Sequence, residues 1–186
     1  MRKKISIIIL LCLLMITVTG CSTKKDNVLS TAEVKIESLK KYENSKLEDN
    51  KAYDILKKLP GELYVDKVQR VKDSNDIEVE YAIRANDKDE YASFWENPQN
   101  VLQKNSAILF TLIEDVDNIS FKVGDIEKKS YNYSRSYIEA VLGQYMDKML
   151  EDEETWNKFN ELKVIVKLPL SFNKYTVLIK KKAPTC

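Results

Sequence analysis

Residues 77–83, Ile77-Glu78-Val79-Glu80-Tyr81-Ala82-Ile83, put Ile77, Val79, Tyr81 and Ile83 on one side and Glu78 and Glu80 on the other. A period of two is that of a β-strand, whose successive side chains point to opposite faces. One apolar and one acidic face predict a sheet covered on one side and open to water on the other, as antiparallel sheets often are. Glu78 and Glu80 are the residues that test this, because burial of both is incompatible with an open face. Leu63 to Val71 reads as a preceding strand. The turn residues Asp73-Ser74-Asn75-Asp76 between the two runs predict a hairpin.

The cover for that sheet follows in sequence. Val101, Leu102, Ile108, Leu109, Leu112 and Ile113 recur at helical spacing, with Asn97 placed to cap and Pro98 at the first helical position. Asn105 lies on the same stripe and is expected as a buried, hydrogen-bonded side chain. Ile119, Phe121 and Val123 alternate as a strand closed by Gly124-Asp125, and Lys128 to Tyr133 pairs back as a weaker one. Tyr137, Ile138, Val141 and Leu142 give a helix an apolar face. Ser134 or Ser136 caps it, Ser136 with Glu139 fits a capping box, and Gly143 interrupts or ends it. An earlier helix runs from Asp49 or Asn50 to Leu59, stopped by Pro60-Gly61. Residues 145–150 and 155–160 read as helical pieces around the acidic run Glu151-Asp152-Glu153-Glu154. Residues 164–168 and 175–180 read as two last strands. These elements predict one α+β domain over 37–186, a mainly antiparallel sheet packed on one face by helices.

The chain begins differently. Arg2, Lys3 and Lys4 precede the apolar run Ile5 to Val18, and small residues lead to Cys21. A charged start, a short apolar core and a small-residue exit are the parts of a secretory signal peptide. Val18-Thr19-Gly20-Cys21 resembles the lipobox of bacterial lipoproteins. That resemblance implies diacylglycerol on the Cys21 thiol and removal of residues 1–20, leaving 21–36 as a lysine-rich tether. One acyl chain binds a membrane marginally, whereas two anchor it stably. An uncleaved transmembrane anchor is the other reading of the same run. Either way the positive end stays in the cytoplasm, so the domain is expected at the membrane's outer face.

Composition narrows the chemistry. Without residues 1–20 the chain holds 27 basic against 29 acidic residues, which is no footprint for nucleic acid. Histidine is absent, removing the commonest general base, the Ser-His and Cys-His dyads and the usual zinc ligands. Cys186 is the only other cysteine beyond the signal; with Cys21 acylated no internal disulfide forms. Glu114, Asp115 and Asp117 are the best carboxylate cluster, but a hard cation needs six to eight oxygens and no calcium-loop pattern surrounds them. Tyr91, Phe94 and Trp95, in the charged run 86–96, are the candidate binding surface. No cofactor, metal or catalytic residue is expected beyond the lipid on Cys21. The reading is a non-enzymatic ligand- or partner-binding lipoprotein, with an envelope or membrane protein as the partner class. A carboxylate-dependent cell-envelope hydrolase and a structural accessory protein are the alternatives.

Three segments together resemble the domain of unknown function 4825 family, across about residues 42–160. They are Asn44-Ser45-Lys46-Leu47 with the helix closing on Leu59-Pro60, the run from Asn105 through Ile113 into Val116-Asp117-Asn118-Ile119-Ser120-Phe121, and Tyr133-Ser134-Arg135 leading to Leu142-Gly143. The resemblance implies an extracytoplasmic domain of membrane-attached proteins and brings no catalytic residues with it.

Overall fold

A computed structural model of the chain describes residues 33–82 and 98–163. Its centre is a four-stranded sheet in the order β1 (Val65–Arg70), β2 (Asp76–Tyr81), β3 (Asn118–Val123), β4 (Lys129–Ser134). β1 and β2 form the expected antiparallel hairpin, with Val68 opposite Val79 and Gln69 opposite Glu78. β3 and β4 form a second hairpin, with Ile119 opposite Tyr133 and Phe121 opposite Tyr131. The sheet is nevertheless mixed, because β2 and β3 run parallel, Ile77 beside Ile119 and Val79 beside Phe121. Parallel neighbours need a long crossover, and here it contains the main helix, α3 (Pro98–Leu112).

The alternation of residues 77–81 does what the sequence implied. Ile77, Val79 and Tyr81 are buried, as are Ile119, Phe121 and Val123 alongside them. Phe121 packs between Tyr81 at 5.8 Å and Tyr133 at 6.0 Å, an aromatic row across three strands on the core face. On the opposite face Glu78 accepts from Gln69 Nε2 at 2.8 Å and pairs with Lys122 at 2.5 Å, and Glu80 pairs with Lys128. Both carboxylates are held below their ordinary range, chiefly by these lysines. The face stays polar and reachable by water.

Helices cover the other side: α1 (Ile36–Lys40), α2 (Ala52–Leu56), α3, α4 (Arg135–Met146) and α5 (Glu153–Glu161). From Leu102 to Phe110 every residue of α3 is buried, polar ones included, so this helix is wrapped on all sides. Among the described residues no helix is long and apolar enough to cross a membrane.

Several boundaries differ from expectation. The helix expected from Asp49 or Asn50 to Leu59 spans only Ala52–Leu56. Asn50 takes a left-handed conformation, φ 54°, closing a 3-10 turn at Leu47–Asp49, and beyond Leu56 the bonds tighten to Lys58 N–Ile55 O and Leu59 N–Leu56 O before Pro60. Leu63 lies in a second 3-10 turn, Glu62–Tyr64, so the first strand starts at Val65. Ser134 caps α4, accepting from Tyr137 N at 3.3 Å; Ser136 forms no capping box, as its hydroxyl lies 3.2 Å from that of Ser134 and Glu139 sits near Arg135. Gly143 neither interrupts nor ends α4, which continues to Met146. The acidic run ends in the cap of α5, where Asp152 accepts from Glu154 N and Thr155 N. Val34 is already buried, so packing begins before residue 37. Asn97, Ile83 and the strands expected at 164–168 and 175–180 lie outside the described residues.

Candidate functional site: the cleft between α3 and α4

The last carbonyls of a helix have no partner within it and must be satisfied from elsewhere. At the end of α3 one side chain takes a carbonyl of the last turn and two more of the chain just beyond it. Arg135 donates from Nη1 to Phe110 O at 2.8 Å, from Nη2 to Ile113 O at 2.7 Å and from Nε to Val116 O at 2.8 Å. Its guanidinium also lies 5.0 Å from the Phe110 ring centroid, a favourable stack. A cation at the negative end of the helix dipole is stabilising besides. Arg135 stands there because Ser134 starts α4 directly from β4, without a loop.

The Asn44-Ser45-Lys46-Leu47 segment closes the same knot. Asn44, at φ 59°, turns the chain so that Ser45 N reaches Leu112 O at 3.0 Å while Glu114 N reaches Ser45 O at 3.1 Å. All three segments that carried the family resemblance therefore meet at the C-terminal end of α3.

The carboxylate cluster expected here is present in sequence and dispersed in role. Glu114 pairs with Lys46 and raises that lysine's pKa through the hydrogen bond. Asp115 Oδ1 accepts from Leu47 N at 2.7 Å. Asp117 accepts from Asn75 Nδ2 at 3.3 Å, while its carbonyl accepts from Arg135 N at 2.8 Å. Two of the carboxylates fasten the 46–47 segment and the third fastens Asn75, just before β2. Among the described residues no three acidic or cysteine side chains are placed to hold a metal ion.

Beside the knot a cleft of about 650 Å³ opens between α3 and α4, within the usual range for ligand sites. Phe110, Thr111, Met146 and Leu150 form its floor and walls, with Gly143 among them. Glu43, Glu139, Asp147 and Glu151 stand around it, all exposed. Among the described residues Arg135 is the one basic residue in the lining, and each nitrogen of its guanidinium already donates to a backbone carbonyl. The remaining charged groups of the lining are acidic, Glu139 standing 3.7 Å from Arg135, with Asn44 as a neutral polar neighbour.

A second polar feature lies deep under the helices. Lys104 is 3% exposed; its Nζ donates to Asn160 O at 2.5 Å and sits 5.9 Å from the Phe159 ring centroid. Burial lowers its pKa to about 8. Among the described residues no carboxylate pairs with it. Asn105 is buried as expected and donates to Pro60 O at 3.0 Å, though its Oδ1 accepts no hydrogen bond among the described residues.

Cys21, Tyr91, Phe94, Trp95 and Cys186 lie outside the described residues. Reading the sequence missed the cleft, since its acids come from separate segments with no shared spacing. Two signals were nonetheless visible: Arg135 within Tyr133-Ser134-Arg135, and a glycine at position 143 inside an otherwise helical pattern.

No curated protein and no solved structure matches the chain. A family model described as "Domain of unknown function (DUF4825)" matches residues 39–134, just over half of the chain. That match contains the Ser45–Leu112 knot, the carboxylates and all four strands, and stops one residue before Arg135.

Proposed function

The chain belongs to the DUF4825 family, and we propose that it is a lipid-tethered binding domain at the outer face of the cytoplasmic membrane, engaging an envelope partner through the α3–α4 cleft. One observation carries the binding reading. The carboxylates best placed in sequence for catalysis are fastened to Lys46, Leu47 N and Asn75, whereas the acidic groups of the open concavity have, among the described residues, no structural contact beyond Glu139's 3.7 Å approach to Arg135. Asp115 and Asp117, the pair the sequence offered for hydrolysis, are engaged with Leu47 N and Asn75, whereas a hydrolytic pair exchanges protons with substrate. The tether rests on Val18-Thr19-Gly20-Cys21 and the apolar run before it, with Cys21 as the acylated residue and two acyl chains sufficient for stable anchoring.

A photo-crosslinking amino acid at Thr111, which lines the cleft and is half-buried, tests this in membranes carrying the full chain. A discrete adduct that the same substitution at Ser120 on the open sheet face does not give is the expected result. Adducts from Ser120 and none from Thr111 would place the partner on the sheet and refute the cleft.

A further inference from the structure

We propose that the cleft takes a basic peptide segment, a lysine or arginine side chain entering between Glu43, Glu139, Asp147 and Glu151 while an apolar neighbour rests on the Met146 and Leu150 wall. The proposal rests on the cleft being the binding site, and names the chemistry of what it binds. Charge selects the occupant. Four carboxylates face one guanidinium in the lining, and that guanidinium has Nε, Nη1 and Nη2 each turned to a backbone carbonyl. An anionic ligand would meet repulsion and find no unengaged nitrogen on Arg135. A cationic side chain gains attraction from several directions, and its alkyl stem suits the apolar wall.

Gly143 supplies a separate observation. It lies inside α4, where glycine weakens a helix, and among the described residues no close packing requires it. A Cβ built there meets only Glu139 Cβ, at 4.0 Å, ordinary contact. What the missing side chain does provide is depth, because Gly143 is part of the cleft lining. The residue is costly to the helix, and what it leaves in exchange is open space in the cleft.

The test uses the full chain in a neutral detergent and a fluorescein-labelled peptide alternating lysine with leucine and phenylalanine, followed by anisotropy. Binding is expected to saturate, to weaken steeply between about 0.05 and about 0.5 M salt, and to be undetectable for the same peptide with glutamate in place of lysine. The combined variant Glu43→Gln, Glu139→Gln, Asp147→Asn, Glu151→Gln, with an unchanged melting curve, is expected to weaken it at least about tenfold. Gly143→Leu, which keeps every charge and fills the cleft, is expected to do the same. Binding that survives both variants overturns the proposal, as does free spermine competing as well as the peptide, since the site would then read charge alone. If the Thr111 adduct forms while peptide binding ignores the rim, the cleft stands and the basic-peptide class falls. If the Thr111 adduct is absent, the cleft falls as the binding site, and this proposal with it.

Discussion

The Arg135 guanidinium lies over the ring of Phe110 at 5.0 Å and donates to that residue's own carbonyl at 2.8 Å. One side chain at the start of α4 thus holds both the backbone and the ring of a residue in the last turn of α3. The cleft beside it is lined by Phe110 and Thr111 of α3 and by Gly143 and Met146 of α4.

Arg135→Lys should therefore destabilise the domain despite keeping its charge. A lysine is a point donor and cannot satisfy three carbonyls in a planar fork. Charge-assisted hydrogen bonds contribute about 1.5–3 kcal/mol each and are not additive, so a loss of about 3 kcal/mol is expected in urea denaturation. A loss under about 0.5 kcal/mol, the scale of ordinary surface changes, would mean the α3 carbonyls find other partners.

Gly143→Ala should raise stability by about 1 kcal/mol, the helix-propensity difference, because nothing obstructs the new methyl group. Thermal melts check this. A fall in stability would show that the fold, and not a ligand, requires the glycine.

Asp115→Ala should cost about 1–2 kcal/mol by leaving the Leu47 N–H without its acceptor, whereas Asp115→Asn, which keeps an oxygen, should cost less. Added calcium should leave the melting temperature of the unsubstituted chain unchanged. A calcium-dependent rise would make Glu114, Asp115 and Asp117 a metal site against this expectation.

Lys104 predicts a pH dependence. Burial lowers its pKa from 10.5 to about 8 in the folded state. Below pH 8 both states carry the proton and the penalty of the buried charge is fully present. Between about 8 and 10.5 the unfolded chain holds more protons, so this residue makes stability rise with pH. Lys104→Met should stabilise by something on the order of 3 kcal/mol at neutral pH, an advantage that shrinks as pH rises past 8. Measurements should stop near pH 9.5, because burial raises the pKa of Tyr81 and Tyr133 and their contribution is lost above the ordinary tyrosine range near 10. An advantage that is flat from pH 6 to 9.5 would show that Lys104 is not buried as a cation.

Cys21→Ser should abolish palmitate labelling and release the chain from the membrane fraction. Labelling that survives the substitution would remove the tether from the account.

The sheet's two faces were readable from Ile77 to Tyr81 because burial acts on alternate residues within one strand. The central helix was readable from Leu102 to Ile113 for the same local reason. The parallel pairing of β2 with β3 was not, since it depends on a crossover that no short window of sequence contains. Glu114, Asp115 and Asp117 looked like a site because they are adjacent in sequence. Their partners, Lys46, Leu47 and Asn75, are 42 to 68 residues away, and those distant contacts turn the cluster into fastenings. The cleft was hidden for the converse reason: Glu43, Thr111, Glu139 and Glu151 come together only when α3 and α4 pack.

The most direct test is amide NMR of the full chain in detergent micelles, titrated with the lysine–leucine–phenylalanine peptide. The account predicts that the amides of Asn44, Thr111 and Gly143 shift together and saturate, while Ser120 and Lys122 on the open sheet face stay still. Shifts confined to the sheet face, or none at all, would contradict it.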